Sequence, residues 1–296
     1  MGTTLGFGFR VGHWTDDNAR TGCTVVLPPP GNVAACDIRG SSPGERELAA
    51  LHVDRRLTEV HAVLLTGGSA FGLAAADGVM AWLENKGIGY ATGGGVVPIV
   101  PAAVIFDLKV GGKTLRPGAA AGQAACEAAS EDEVATGRVG AGTGATVGKW
   151  AGREHAAPGG LGIAQANSGS LRVSALAVVN AVGDVIAPDG SVLQGTTNPQ
   201  PTYERPAPVS GAPTNTVLAF VAVQGGLGKR EVRFLAARGS DGITTSIRPA
   251  HTRYDGDVVF AVAAPGPSLD DGAVDVLGHL ATEAVAASIR AAVREP

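Results

Sequence analysis

The chain has 296 residues, of which 45% are hydrophobic and 17% charged, with a formal net charge of −4. That length buries a large core, and an acidic balance without a basic cluster excludes a nucleic-acid or anionic-membrane partner, both of which demand a basic face. No apolar run approaches the roughly 18 residues of a membrane span, and Met1–Arg10 lacks the basic start and apolar core of a secretory signal, so a cytoplasmic enzyme is expected.

The first third alternates β-like and helical runs. Thr21–Leu27 and Val33–Ile38 are short strands separated by the turn Pro28-Pro29-Pro30-Gly31-Asn32. Ser42 with Pro43 predicts a helix start. Val60–Thr66 is an apolar strand, and Gly67-Gly68-Ser69 leads into a helix over Ala70–Asn85 that Gly87 closes. Val96–Val104 is a further strand, Pro117–Ser130 a helix, and Gly140–Lys149 a glycine-rich loop or closely packed strand. Leu171–Val179 alternates towards a buried strand ending at Asn180. Gly195–Asn215, rich in proline, predicts an exposed connector. A strand (Thr216–Val223), a helix (Arg230–Arg238), a loop (Gly239–His251), a strand (Val258–Ala264) and a final helix (Asp271–Val293) follow. Short strands with helices on either side predict layered α and β structure rather than one parallel array. The 44 glycines beside 4% aromatics predict tight turns and close backbone approaches.

Chemistry-bearing patterns are few. Gly140–Lys149 ends in GlyLys like a phosphate loop, but Thr143 stands where its first Gly belongs and Trp150 where a magnesium-binding hydroxyl belongs. Gly67-Gly68-Ser69-Ala70-Phe71 misses the nucleophile-elbow spacing at Phe71 and reads as a helix start capped by Ser69. Lys149, among Gly, Ala and Val, is either a partly buried ammonium with a task or a solvated turn lysine. The six histidines show no i, i+4 pair, and Asp255-Gly256-Asp257 falls short of a calcium loop and reads as a turn into the next strand. No metal or organic cofactor is expected. Cys23, Cys36 and Cys126 read as reduced, buried thiols. On physical grounds alone Thr252 is an ordinary strand-edge threonine.

Four ordered blocks carry more. Thr66–Val79, Gly140–Lys149, Val178–Asp184 and His251-Thr252 with Asp255-Gly256-Asp257 together resemble the family of L-aminopeptidase/D-esterases and nylon-oligomer hydrolases, from Gly12-His13-Trp14 to the last helix. The resemblance implies a four-layer αββα sandwich of the N-terminal-nucleophile-hydrolase type. It further implies a single domain, made as a precursor that cuts itself and keeps both pieces together. The nucleophile would be Thr252, freed by cleavage after His251 to leave chains 1–251 and 252–296. Lys149 and Asn180 match the family's catalytic lysine and asparagine. A Thr hydroxyl needs a base, and the α-amine freed by cleavage can serve on the same residue. Lys149 would lower the pKa of that amine, and Asn180 would donate to the oxyanion.

The nylon-oligomer branch places Asn before its Thr and the D-aminopeptidase branch Gly before Ser, whereas His251 precedes Thr252. Glu283 is a candidate supporting acid, with a solvated helical residue as the other reading. Phe106 stands where some relatives carry a tyrosine. The implied partner is a small peptide or amide with a free amino end, 6-aminohexanoate oligomers included. The implied assembly is a homotetramer of processed heterodimers. Two other functions stay open: acyl transfer, as in ornithine acetyltransferases, whose Ala-Thr-Met block is missing here, and an uncut, non-catalytic binding protein.

Overall fold

A computed structural model of the chain describes residues 3–108, 110–111, 114–201 and 214–294. Its main strands are β1 (Arg10–Asp16), β2 (Thr21–Leu27), β3 (Val33–Ile38), β4 (Glu45–Arg46), β5 (Val63–Thr66), β6 (Ala102–Val104), β7 (Gly160–Ser168), β8 (Leu171–Asn180), β9 (Thr216–Gly226) and β10 (Val258–Ser268). The helices are α1 (Ala75–Asn85), α2 (Ala119–Glu127), α3 (Lys229–Ser246) and α4 (Asp271–Ala291). One five-stranded sheet runs β1-β2-β5-β6-β4 and the other β7-β8-β9-β10-β3.

The period-two alternation of the strands sorts their side chains into three apolar layers. On β9, Val217, Ala219, Val221 and Val223 pack with Leu235, Ile243, Leu277 and Val285 of α3 and α4. Leu218, Phe220 and Ala222 of the same strand point the other way, onto Val26, Leu65 and Ala103 of the first sheet. On the far face of that sheet, Val25 and Leu64 meet Val79 and Leu83 of α1 and Ala125 of α2. Helices, sheet, sheet and helices therefore stack in four layers, which is the expected αββα sandwich.

Several local expectations need correction. No helix opens at Ser42: Glu45 and Arg46 pair with Ala103 and Ala102 at the sheet edge, and Gly44 accepts the Val104 N–H at 3.0 Å, so the sheet captures this backbone first. Ser69 does not cap a helix by its side chain; it opens a 3₁₀ stretch, Ser69–Ala74, before α1, with its own φ at +52°. Gly239–Ser246 is helical, not loop. The glycines there permit close packing, because a Cβ at Gly242 would lie 2.5 Å from the Thr282 carbonyl oxygen of α4. The strand expected over Val96–Val104 is split into Gly95–Val97 and β6 by a segment with Pro98 and Pro101. Most of the predicted connector, 202–213, lies outside the described residues. Among the described residues no helix is long and apolar enough to cross a membrane.

Candidate active site

Asn180 is the last residue of β8 and stands in register opposite Thr216, the first residue of β9. By alternation both side chains face the space between the sheets, at one end of the sandwich. Asn180 is fully buried and its polar atoms are all engaged. Its Oδ1 accepts the Thr146 N–H at 3.1 Å and the Lys149 ammonium at 2.9 Å, while its main-chain carbonyl takes the same Lys149 Nζ at 3.0 Å. Its Nδ2 makes only long contacts, 3.4 Å each, to the carbonyls of Phe106 and Thr214.

A tight turn delivers Lys149 to this place. Gly148 has φ +70°, and a Cβ there would sit 2.1 Å from the Thr196 nitrogen, so only glycine fits. The turn then docks the Lys149 and Trp150 N–H groups on the Val182 carbonyl, at 2.8 and 3.0 Å. Asp184 braces it by accepting the Trp150 indole N–H at 2.9 Å and the Thr196 N–H at 2.8 Å. Of the two readings of Lys149, the buried one holds. Burial pushes its pKa well below the usual lysine value and the neighbouring Arg153 charge adds to this, with Asp255 opposing.

Thr216 sits in a dense set of hydrogen bonds. Its hydroxyl donates to the carbonyl oxygen of the preceding residue, Asn215, at 2.5 Å. The same carbonyl accepts the Gly256 N–H at 2.8 Å. Asn215 is tied by its Nδ2 to the Tyr254 carbonyl at 3.2 Å, and it bridges Asp255 in parallel fashion. Asp257 Oδ1 receives the Val217 N–H at 2.7 Å. Gly256 has no room for a side chain here, since a Cβ would lie 3.0 Å from the Thr216 Oγ1 and 2.5 Å from the Ser42 carbonyl oxygen.

Thr252 is held differently. Its hydroxyl and N–H both donate to Asp255 Oδ2, at 2.6 and 2.9 Å, and its carbonyl accepts the Asp255 N–H at 3.1 Å. No hydrogen bond joins Thr252 to Lys149 or Asn180 among the described residues. The link runs through Asp255, whose Oδ1 accepts the Val182 N–H at 3.3 Å. Burial, reinforced by the Asp257 charge, raises Asp255 to about 6. Lys149 and Asn180, the pair that the resemblance implied, are hydrogen-bonded to each other, and Asn180 stands opposite Thr216 in register. Glu283 is exposed on α4, and the acids at this site are Asp255 and Asp257. Phe106 is at the site, contributing its carbonyl. Cys23, Cys36 and Cys126 are buried free thiols, and no group of three or more metal-ligating side chains occurs among the described residues.

Thr216, which stands opposite Asn180, carried one signal in the sequence. Asn215-Thr216 is an Asn-Thr pair of the kind the nylon-oligomer branch carries at its cleavage point. On sequence, Asn215 and Thr216 passed only as the connector end and the strand start.

Solved structures share this architecture. A β-aminopeptidase of a Burkholderia species superposes with a TM-score of 0.74 at 21% identity, covering 99% of this chain and 88% of that one. The L-aminopeptidase D-Ala-esterase/amidase of Ochrobactrum anthropi, described as a variant of the Ntn hydrolase fold, gives 0.71 at 16% identity, covering 99% and 87%. The fold is therefore that of the N-terminal-nucleophile hydrolases. The family is shown by sequence: the model of peptidase family S58 matches residues 7–295, and the chain belongs to that family of amide-bond hydrolases. An uncharacterized aminopeptidase of Mycobacterium tuberculosis is 44% identical over 280 residues, 86% of this chain and 79% of that protein. A 6-aminohexanoate-oligomer endohydrolase of an Agromyces species is 30% identical over 294 residues, 94% and 79%.

Proposed function

We propose that the protein is a self-processing amide hydrolase whose nucleophile is Thr216, released by cleavage of the Asn215–Thr216 bond, with Lys149 and Asn180 as its partners. One observation carries the reading. The Thr216 hydroxyl lies on the very carbonyl it would attack, that carbonyl already accepts a backbone N–H from Gly256, and Thr216 faces Asn180 in register.

In the precursor, Oγ of Thr216 adds to the Asn215 carbonyl carbon while the Gly256 N–H stabilises the developing oxyanion. Collapse breaks the peptide C–N bond, and the acyl group moves from nitrogen to oxygen as an ester. Water then hydrolyses the ester, leaving a carboxylate on Asn215 and a free amine on Thr216. Lys149 suits the proton work. A neutral lysine amine has two N–H donors and one lone pair; the two donors satisfy both Asn180 oxygens, which frees the lone pair to accept the hydroxyl proton.

In turnover the same hydroxyl attacks a substrate amide. The long Asn180 Nδ2 contacts are ones a substrate oxyanion can replace. The departing amine takes a proton, and water releases the acyl group from Thr216. Small peptides and amides with a free amino end are the substrates to assay first, with 6-aminohexanoate oligomers beside them because one relative bears that name. A homotetramer of processed heterodimers in the cytoplasm completes the proposal, to be checked by analytical ultracentrifugation and fractionation.

A second reading keeps Thr252 as the nucleophile, favoured by its 2.6 Å hydrogen bond to Asp255. Intact-mass spectrometry separates the two. Fragments 1–215 and 216–296 are expected, together with a single uncut species for Thr216→Ala; fragments meeting at 251/252 would move the nucleophile to Thr252. A chain that stays whole and hydrolyses no amide overturns both.

A further inference from the structure

His251 is absorbed by neither step, yet it is among the most constrained side chains of the site. It stands in the left-handed region at φ +52°, a conformation that costs a residue with a Cβ about 1 kcal/mol or more. Its ring is mostly buried. Nδ1 lies 2.8 Å from Asp257 Oδ2, and Nε2 lies 3.1 Å from the Ser240 carbonyl oxygen of α3.

Both partners are acceptors. A neutral imidazole has one N–H and would turn a lone pair against one of them; only the doubly protonated ring satisfies both. The charge also has a counterpart, since Asp255 and Asp257 are two buried carboxylates in one turn. Among the described residues His251 is the only cation paired with Asp257, while nearby Arg39 is taken up by Asp37 and Asp241. The other oxygen of Asp257 holds the Val217 N–H, next to Thr216, and Gly256 between the two acids holds the Asn215 carbonyl.

We propose that His251 is a positioning residue: clamped as an imidazolium between the Asp257 carboxylate and the Ser240 carbonyl, it fixes the Gly256–Asp257 backbone against the Asn215–Thr216 bond and ties that bond's geometry to α3. The inference rests on the reading of Thr216 as nucleophile. Burial pulls the pKa of His251 down, but the hydrogen bond and charge of Asp257, with the Ser240 carbonyl, outweigh this and raise it above the ordinary value, Arg39 opposing.

The test has two arms. In the full-length Thr216→Ala chain, ¹⁵N NMR of the His251 ring is expected to show both nitrogens protonated at neutral pH; a neutral ring there overturns the proposal, whatever the enzyme does. In the second arm, amidolysis by wild-type enzyme should fall as pH rises through the His251 titration. His251→Asn tolerates the left-handed backbone and retains one donor for Asp257 without titrating. It should still be cut at 215/216, lose that alkaline limb, and show kcat lowered roughly tenfold, the worth of a charge-assisted hydrogen bond, with KM little changed. An unaltered limb and kcat in His251→Asn overturn the proposal. A protonated ring in a wild-type chain never cut at 215/216 overturns the functional reading and the positioning role with it, leaving only an ion pair.

Discussion

Asn180 and Thr216 occupy one cross-strand position at the end of the second sheet, and the Lys149 amine binds Asn180 at both its carbonyl and its side-chain oxygen. A polar cluster is thereby built into the mouth of an otherwise apolar interlayer space, bordered by the Asp255-Gly256-Asp257 turn. Each part of that cluster can be separated by substitution.

Thr252 serves in this arrangement as a support for Asp255. Thr252→Ala removes one hydroxyl hydrogen bond to a buried carboxylate, which costs about 1–3 kcal/mol. Cleavage at 215/216 and amidolysis should survive, slowed, in the variant. Denaturant unfolding and intact mass check this, and complete loss of both cleavage and hydrolysis would return the nucleophile to Thr252.

The burial of Lys149 weighs against stability. Its folded pKa lies below its unfolded value, so between those two values the unfolded chain binds a proton that the folded chain gives up. Its contribution therefore disfavours folding near neutrality, and stability should rise with pH towards the unfolded lysine pKa. Lys149→Met fills a similar volume without that penalty. Met also removes the donor to both Asn180 oxygens, so the expected signature is in the pH dependence: the variant's melting temperature should lack the rise with pH that uncut Thr216→Ala shows, while cleavage and hydrolysis disappear; calorimetry across pH beside an amide assay reads both.

Asp255 is expected to set the acid side of the pH profile. With its pKa raised to about 6, it becomes protonated as pH falls through that value, and the Thr252 hydroxyl then loses its carboxylate acceptor. Amidolysis by processed enzyme should therefore decline below about pH 6 with the Asp255 titration, and Asp255→Asn should lack this limb. The stability sign is the reverse of a salt-bridged carboxylate: a folded pKa above the unfolded one means that stability falls as pH rises between the two values. An acid limb unchanged in Asp255→Asn would place it on another group.

The cysteines should be silent. Burial pushes the thiols of Cys23 and Cys126 up to about 12 and that of Cys36 up to about 11, so thiolate is scarce at pH 8. A thiol reagent should titrate none in the native protein and all three after denaturation.

Much of the architecture was legible in the linear chain because it rests on local periodicity. The alternation of Leu171–Asn180 and of Thr216–Val223, and the long helix after Asp271, are written in spacing alone. The glycine run before Lys149 announced a close approach, and the ordered blocks picked out Lys149 and Asn180. Helix α3 was read short, because Gly239 and Gly242 lower helix propensity locally, while their small size is what lets α3 and α4 pack.

The proposed nucleophile was another matter. Thr216 and Thr252 are both threonines near strand starts, and no local property of either sets it apart, apart from the Asn that precedes Thr216. The linear chain, through its family blocks, carried the layered αββα scheme, the family, and the pairing of Lys149 with Asn180 as candidates. Which threonine stands beside that pair is visible only in the folded chain. Register across β8 and β9 sets Thr216 opposite Asn180, and the turn before β10 brings the Gly256 N–H onto the carbonyl before Thr216. Those contacts join segments far apart in the chain, and neither composition nor periodicity records where such segments meet.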